Sequence, residues 1–375
     1  MLAAPDNPHI ASAQVVVPCA DITPTLAFFT DTLGFRVEMI SPADHPTVVV
    51  IAGHGICLRL DATFAGDPGE LRLLCTDPDA VADGARTLTA PNGTRIDLVD
   101  ADPALQLPPV HQSFTVSRAG DAAEWGVGRA GMRYRDLIPD REGGRFIASH
   151  IHIPAAGPVP DYVHFHKVRF QMIFCYRGWA RLVYEDQGPP FVLNAGDCVL
   201  QPPEIRHRVL ESSADLQVIE IGCPAIHETF ADSATILPTP FVLPDRDFDG
   251  QRFVRHIAAE ADWAPWRADG FRCRTIGFGP ATNGLAEAQV VHPVDGSPSH
   301  TTVSHDAEFV FMMVLDGAVT LDRPDEPPVR LAGGDSVTLP AGMAHRLLDC
   351  TPDLEFLDVT LPANITLAHM TLSHT

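Results

Sequence analysis

Two histidines, His164 and His166, stand two residues apart in the run VHFHKVRFQMIFCYRG, and a third, His207, closes GDCVLQPPEIRH. On a β-strand alternate side chains share a face, so His164 and His166 project together. Inside a small barrel two imidazoles make half of a metal site, and His207 supplies a third nitrogen. A buried imidazole needs a hydrogen-bond partner or a metal. His150 and His152, on the run RFIASHIHIP that leads in, also share a face. They are the candidate catalytic pair, as general base, substrate contact or donor behind a metal ligand; the competing reading is a rim position in water. Arg206 can clamp a substrate carboxylate. Tyr176 and the turn residue Glu204 are the other candidate substrate contacts. Strand alternation sends Arg169 to the opposite face.

The elements that must position these side chains are short strands. Pro (34) and Gly (28) are frequent and scattered through 375 residues, which favours turns over long helices. From Trp125 onward the chain repeats itself with a period near 139 residues: His166 returns as His305 and Gly178 as Gly317. GDCVLQPPEIRH returns as GDSVTLPAGMAH, with glycine, proline and histidine identically spaced. Two β-barrels or sandwiches in tandem follow from that pattern. The repeat is also an internal control. Read at one constant offset, His150, His152 and His164 become Gln289, Val291 and Val303, so the polar density of the first copy is not demanded by the scaffold. ILPTPFVLPDRDFDGQ reads as a connector, and residues 106–124 as a linker without periodicity.

These motifs resemble the cupin superfamily in a two-cupin arrangement, with cupin 1 over residues 125–235 and cupin 2 over 236–375. The resemblance implies one divalent metal per chain, held in the first copy by His164, His166, Gln171 and His207. Gln171 stands where the family usually has glutamate, so it either ligates weakly through its carbonyl oxygen or orients a water beside the metal. The second copy offers Val303, His305, Val310 and His345, a degenerate set; His300 and Glu308 are near but out of register. Iron(II) suits imidazole ligands with open positions; zinc, manganese, nickel and copper accept the same donors.

Residues 1–105 read as strand, helix and three strands, with a shorter copy displaced by 56 residues that turns Cys19 and Asp21 into Cys75 and Asp77. Thr23 or Asp21 can cap the helix and Gly34 can end it. Together with LAFFTDTLGF and PNGTRIDL the pattern resembles the vicinal-oxygen-chelate (glyoxalase/bleomycin-resistance) family. The expected fold is therefore mainly β: two tandem cupin-like barrels after an α+β βαβββ domain. The four positions that carry metal in that family are Gln14, Arg59, Glu70 and Asp97 here. A permanent cation among them argues against a metal.

A formal net charge of −22 sets the chain against phosphate backbones and anionic lipid, so neither nucleic acid nor membrane is an expected partner. The eight widely spaced cysteines and the start MLAAPDNPHI, without a signal-peptide core, fit a cytoplasmic protein. The cupin resemblance, with imidazole ligands alone, implies a dioxygenase acting on a small, anionic, bidentate substrate: an enol, a diketone or a hydroxylated ring. The alternatives are non-redox isomerase, hydrolase or lyase chemistry at the same metal, or small-molecule binding without turnover. A monomer and a homodimer are both compatible with these domains.

Overall fold

The computed structural model describes residues 9–121, 125–294, 301–324 and 326–370; His300 lies outside them. The chain divides into two compact units between Ala104 and Leu105. Among the described residues no helix is long and apolar enough to cross a membrane. All eight cysteines are free thiols.

In the first unit a helix, Ile22–Ala27, follows the strand Val15–Pro18 and continues as a wider turn, Phe28–Thr32. Asp21 takes the N-cap position without a side-chain cap bond. Gly34 ends the turn at φ +73°. Val48–Gly53 and Ile56–Asp61 form the expected hairpin, with His54 and Gly55 both at positive φ. Val15–Pro18 runs parallel to Ile56–Asp61, giving a four-stranded sheet that ends on Arg36–Ser41. The shorter copy repeats the parallel pairing of first and last strands, Glu70–Cys75 with Arg95–Asp100. It has no helix: residues 76–84 form turns, and the copy stops at three strands. Arg59 is held by Asp61 at 3.1 Å, and Arg95 sits between Glu70 and Asp97 at 3.8 and 3.0 Å.

The second unit is two antiparallel sandwiches. The first has a seven-stranded sheet in which Phe170–Arg177 and Ile147–Ile153 flank Leu216–Cys223. Its facing sheet carries Trp179–Tyr184, His207–Ser212 and the two-residue strand His164–Phe165. The second sandwich repeats the arrangement, with Phe309–Asp316 and Glu287–Pro293 flanking Glu355–Leu361. Among the described residues the ladders do not run unbroken around either half, so neither closes as the expected continuous barrel. Strands such as His164–Phe165 are too short to carry pairing round the edge.

The two seven-stranded sheets share one core. Phe170, Met172 and Phe174 point outward from the first half; Phe309, Phe311 and Met313 meet them from the second. The Phe146 and Phe309 rings stack at 4.1 Å between centroids. Because side chains alternate along a strand, the same sheets turn their other face inward, where Gln171 and Ile173 line a cavity. Each half therefore has one face spent on its twin and one left for chemistry.

Strand exchange corrects two expected boundaries. Thr115–Ser117, read as part of a linker, pairs with Ser336–Thr338 in the second half. Val254–His256, assigned to the second copy, pairs with Cys198–Leu200 in the first. The two GD turns anchor the exchanged segments. Asp197 Oδ1 accepts from Ala258 N at 2.9 Å, and Asp335 Oδ1 accepts from Ala119 N at 2.8 Å. Gly196 and Gly334 both sit at φ +88°, and a Cβ there would lie 3.2 Å from Ala258 Cβ and 2.9 Å from Ala119 Cβ. Glycine is thus needed for both the turn and the crossing strand. The signal was present in the repeated glycine–aspartate pair, but short edge strands leave too little periodicity to be read. Asp197→Ala and Asp335→Ala remove buried acceptors from two backbone N–H groups each. Each variant should lose about 1–3 kcal/mol in urea unfolding, with native strand content retained in circular dichroism.

Candidate functional site

His164–Phe165 pairs antiparallel with His207–Ser212, setting His164 directly opposite His207. His166 follows two residues on. One ring nitrogen from each of the three histidines lies within 4.8 Å of the other two, and all three side chains are buried. The other nitrogen of each ring faces a backbone carbonyl. His164 Nδ1 donates to Tyr162 O at 2.8 Å, His166 Nδ1 to Glu228 O at 3.0 Å, and His207 Nδ1 to Ile205 O at 2.9 Å. These bonds fix one tautomer in all three rings and leave each Nε2 with its lone pair.

Burial also keeps the rings neutral. Loss of water is the largest cause of the shift at each, pushing His164 and His166 down to about 3. The Arg129 guanidinium adds to the effect at His164, and His207 adds to it at His166. His207 falls well below its ordinary value, first through burial and then through His164. Three neutral imidazoles with convergent lone pairs and donor-locked second nitrogens are the donor set a divalent metal takes. The residues present fit that group.

The site opens into a cavity of about 300 Å³ with apolar walls that include Ile151, Ile173, Leu182 and Val218. Polar side chains interrupt those walls. Tyr184 stacks on His207 at 5.4 Å between centroids and accepts a hydrogen bond from Gln201 at 2.9 Å. Gln171 is buried on the cavity wall, and its Nε2 donates to Glu220 Oε1 at 2.6 Å.

Three cavity groups were not singled out from the sequence. Arg129 pairs with the fully buried Asp161 carboxylate, and its Nη2 donates to His164 Nε2 at 3.1 Å. Asp161 is held in turn by Val209 N at 2.9 Å. Glu220 projects from the central strand between Val218 and Gly222. His227 lies edge-on to His166 at 5.2 Å between centroids. A signal for two of them existed. Arg129 and Glu220 return as Arg267 and Asp358, each displaced by 138 residues; Arg129 and Glu220 line the first cavity and Arg267 lines the second.

The structure separates the expected catalytic pair from this site. Ile147, Ser149, Ile151 and Ile153 line the cavity, so alternation turns His150 and His152 to the opposite face. There His150 Nε2 meets Gln217 Oε1 at 2.9 Å, and His152 meets Asp215 at 3.2 Å. Strand register also corrects the repeat. Arg133 pairs with His152 and Arg272 with His292, so His152 corresponds to His292 and His150 to Val290. One extra residue before the second strand shifts the offset there to 140.

The expected substrate contacts fall elsewhere too. Tyr176 lies on the outward face with Phe174, and its hydroxyl donates to Leu315 O at 3.1 Å. Arg206 pairs with Asp232 at 3.1 Å over the Phe165 ring, and Glu204 is an exposed turn residue at φ +59°. Both belong to the outer surface of the turn before His207. Arg169 is on the opposite face, as alternation predicts, bound to Glu308 at 2.9 and 3.0 Å.

In the second half the register positions Val303 and Val310 carry no donor. His305 is closed from both sides: Nε2 donates to Leu339 O at 3.0 Å and Nδ1 accepts from Ala307 N at 3.2 Å. That ring has no lone pair left for a metal.

No protein-family model and no curated protein sequence matches this chain. Solved structures do resemble it. A salicylate 1,2-dioxygenase from Pseudaminobacter salicylatoxidans is similar with a TM-score of 0.52 at 16% identity, over 71% of this chain and 91% of that one. The Ylba protein of E. coli gives 0.50 at 11% identity, over 70% and 97%. A mutant of the Bacillus subtilis oxalate decarboxylase OxdC gives 0.50 at 12%, over 71% and 80%. These are cupin-fold proteins, and the likeness establishes a mainly β, cupin-like fold and no activity.

Metal analysis of protein purified without chelator should find one divalent ion per chain. His164→Ala, His166→Ala and His207→Ala should each cut the bound metal tenfold or more, while His150→Ala and His152→Ala leave it unchanged. Full retention in a His164→Ala/His207→Ala double variant would remove the site.

Proposed function

We propose that the chain is a metal-dependent enzyme, a non-haem dioxygenase working at the first cavity on a small anionic substrate that chelates through two oxygens. An enol, a diketone or a hydroxylated ring is the substrate class. The observation that carries this reading is the common commitment of three Nδ1 atoms to backbone carbonyls, which leaves three Nε2 lone pairs in one buried place, the one on His164 met by Arg129 alone. His164, His166 and His207 would hold one metal, iron(II) by preference. When bound, such a metal supplies Lewis-acid polarisation and, as iron(II), redox chemistry with O₂.

The chain's own groups then divide the remaining work. The ligand set brings no negative charge, which favours an anionic substrate. Arg129 is the cation beside the site; Asp161 anchors it, and its second nitrogen is free to leave His164 for a substrate oxygen. Glu220 is the carboxylate placed to take a substrate proton, and Gln171 fixes it through the 2.6 Å bond. That bond spends only the Gln171 nitrogen, so its carbonyl oxygen is the atom that would ligate the metal or orient a water beside it. The apolar walls exclude bulk water and strengthen each of these interactions.

A second reading has a specific observation behind it. A fixed carboxylate base in the cavity also suits isomerisation or elimination without a redox step. The experiment loads the protein with iron(II) anaerobically and offers catechols, hydroxybenzoates and β-diketones in an oxygen electrode. Uptake of one O₂ per product is expected. Product formed under nitrogen with zinc or manganese would replace the dioxygenase reading with the non-redox one. Saturable binding with no product under either gas would leave a binding protein.

With the active substrate in hand, Glu220→Gln should lower kcat by about 10²–10⁴-fold at unchanged metal content. Arg129→Leu should raise KM tenfold or more, with a smaller change in kcat.

A further inference from the structure

The second sandwich encloses its own cavity, about 240 Å³ in volume, between Val303, Val310, Met312 and Leu347. An apolar cavity of about 150 Å³ is enough to take up benzene, so this one has room for a substituted ring. It is not a second metal centre, because both nitrogens of His305 are spent on the backbone.

Its charges cancel in pairs. Arg267 is bidentate to Asp358, with Nη2 at 2.7 Å from Oδ1. Arg346 Nε lies 2.5 Å from Asp322 Oδ2. Asp269 is exposed at the rim. A charged ligand would have to break a pair to gain a partner, which a small cavity does not repay.

Two polar groups of the wall remain: the buried Trp266 Nε1, a donor without a hydrogen-bond partner among the described residues, and His345. His345 is buried against the cavity, and its Nδ1 donates to Met343 O at 3.0 Å. Its Nε2 is therefore an acceptor, and among the described residues it has no hydrogen-bond partner. Burial, the largest cause, pushes this histidine down to about 4, so the ring stays neutral at working pH.

We propose that the second cavity is a metal-free binding site for a small, uncharged, hydroxyl-bearing ring of the phenol class. The hydroxyl donates to His345 Nε2 and the ring packs on Val303, Val310, Met312 and Leu347. The site is independent of the reaction assigned to the first cavity. It places a ligand of hydroxylated-ring chemistry in the half of the unit whose described histidines form no metal cluster.

The test titrates phenol, benzene and benzoate into the full chain carrying ¹³C-methyl methionine, after chelator treatment. The Met312 methyl signal, assigned with Met312→Leu, reports occupancy of this cavity alone. Phenol should shift it saturably, and benzoate should not. In His345→Leu, phenol should weaken about tenfold, the worth of one hydrogen bond, while benzene changes less than twofold. Val310→Trp should abolish the response by filling the space. The proposal is overturned by an unmoved Met312 signal at millimolar phenol in the wild-type chain, by benzoate binding as well as phenol, or by equal loss of phenol and benzene in His345→Leu. The wild-type titration decides the matter even where a variant fails to fold.

Discussion

The two-residue alternation of the seven-stranded sheets governs everything else in the C-terminal unit. One face of each sheet is committed to the shared core, where Phe146 and Phe309 stack and Phe170, Phe174 and Phe311 are fully covered. Large apolar side chains of this kind each contribute roughly 2 kcal/mol on burial. A register slip of one residue would exchange that core with the cavity lining. The cavity faces are therefore fixed by what the opposite faces must bury. This is why His150 and Tyr176, close in sequence to the metal site, stand with the core-facing side chains and away from it.

The two halves show how one scaffold serves two ends. Both keep the GD turn, an arginine near the mouth and an acid on the central strand. In the second half Arg267 and Asp358 close on each other, which neutralises the interior. In the first, Arg129 is drawn to Asp161 and Glu220 to Gln171, so cation and carboxylate stay apart and both remain in the cavity. The histidines follow the same division. His207 and His345 both lock Nδ1 onto the carbonyl two residues back, Ile205 and Met343. His166 keeps a free nitrogen, whereas His305 gives both of its nitrogens to the backbone. The second half thus differs from the first by more than two valines in place of potential ligands.

Much of this was legible without coordinates. The spacing His164–His166, the partner His207, the tandem repeat and the turns at Gly178 and Gly196 are local properties, and local spacing on a strand dictates a shared face. The strand–helix–strand–strand–strand order of the first unit was legible for the same reason, as far as its first copy goes. Where the pattern thinned, as in Thr115–Ser117 and Val254–His256, nothing local announced a strand, because those residues are extended only through the sheets they join.

The sequence by itself determined which residues could ligate and that the second copy could not do so equally. Tertiary structure alone decided which polar residues share the cavity. His150 and Ser149 are neighbours in the chain, yet only Ser149 faces the metal site. Arg129 and His164 are 35 positions apart and touch. Register across strands is set by core packing between the halves, a long-range condition that no window of sequence contains. That condition placed Arg129 and Glu220 in the site and kept His152 and Arg206 out of it.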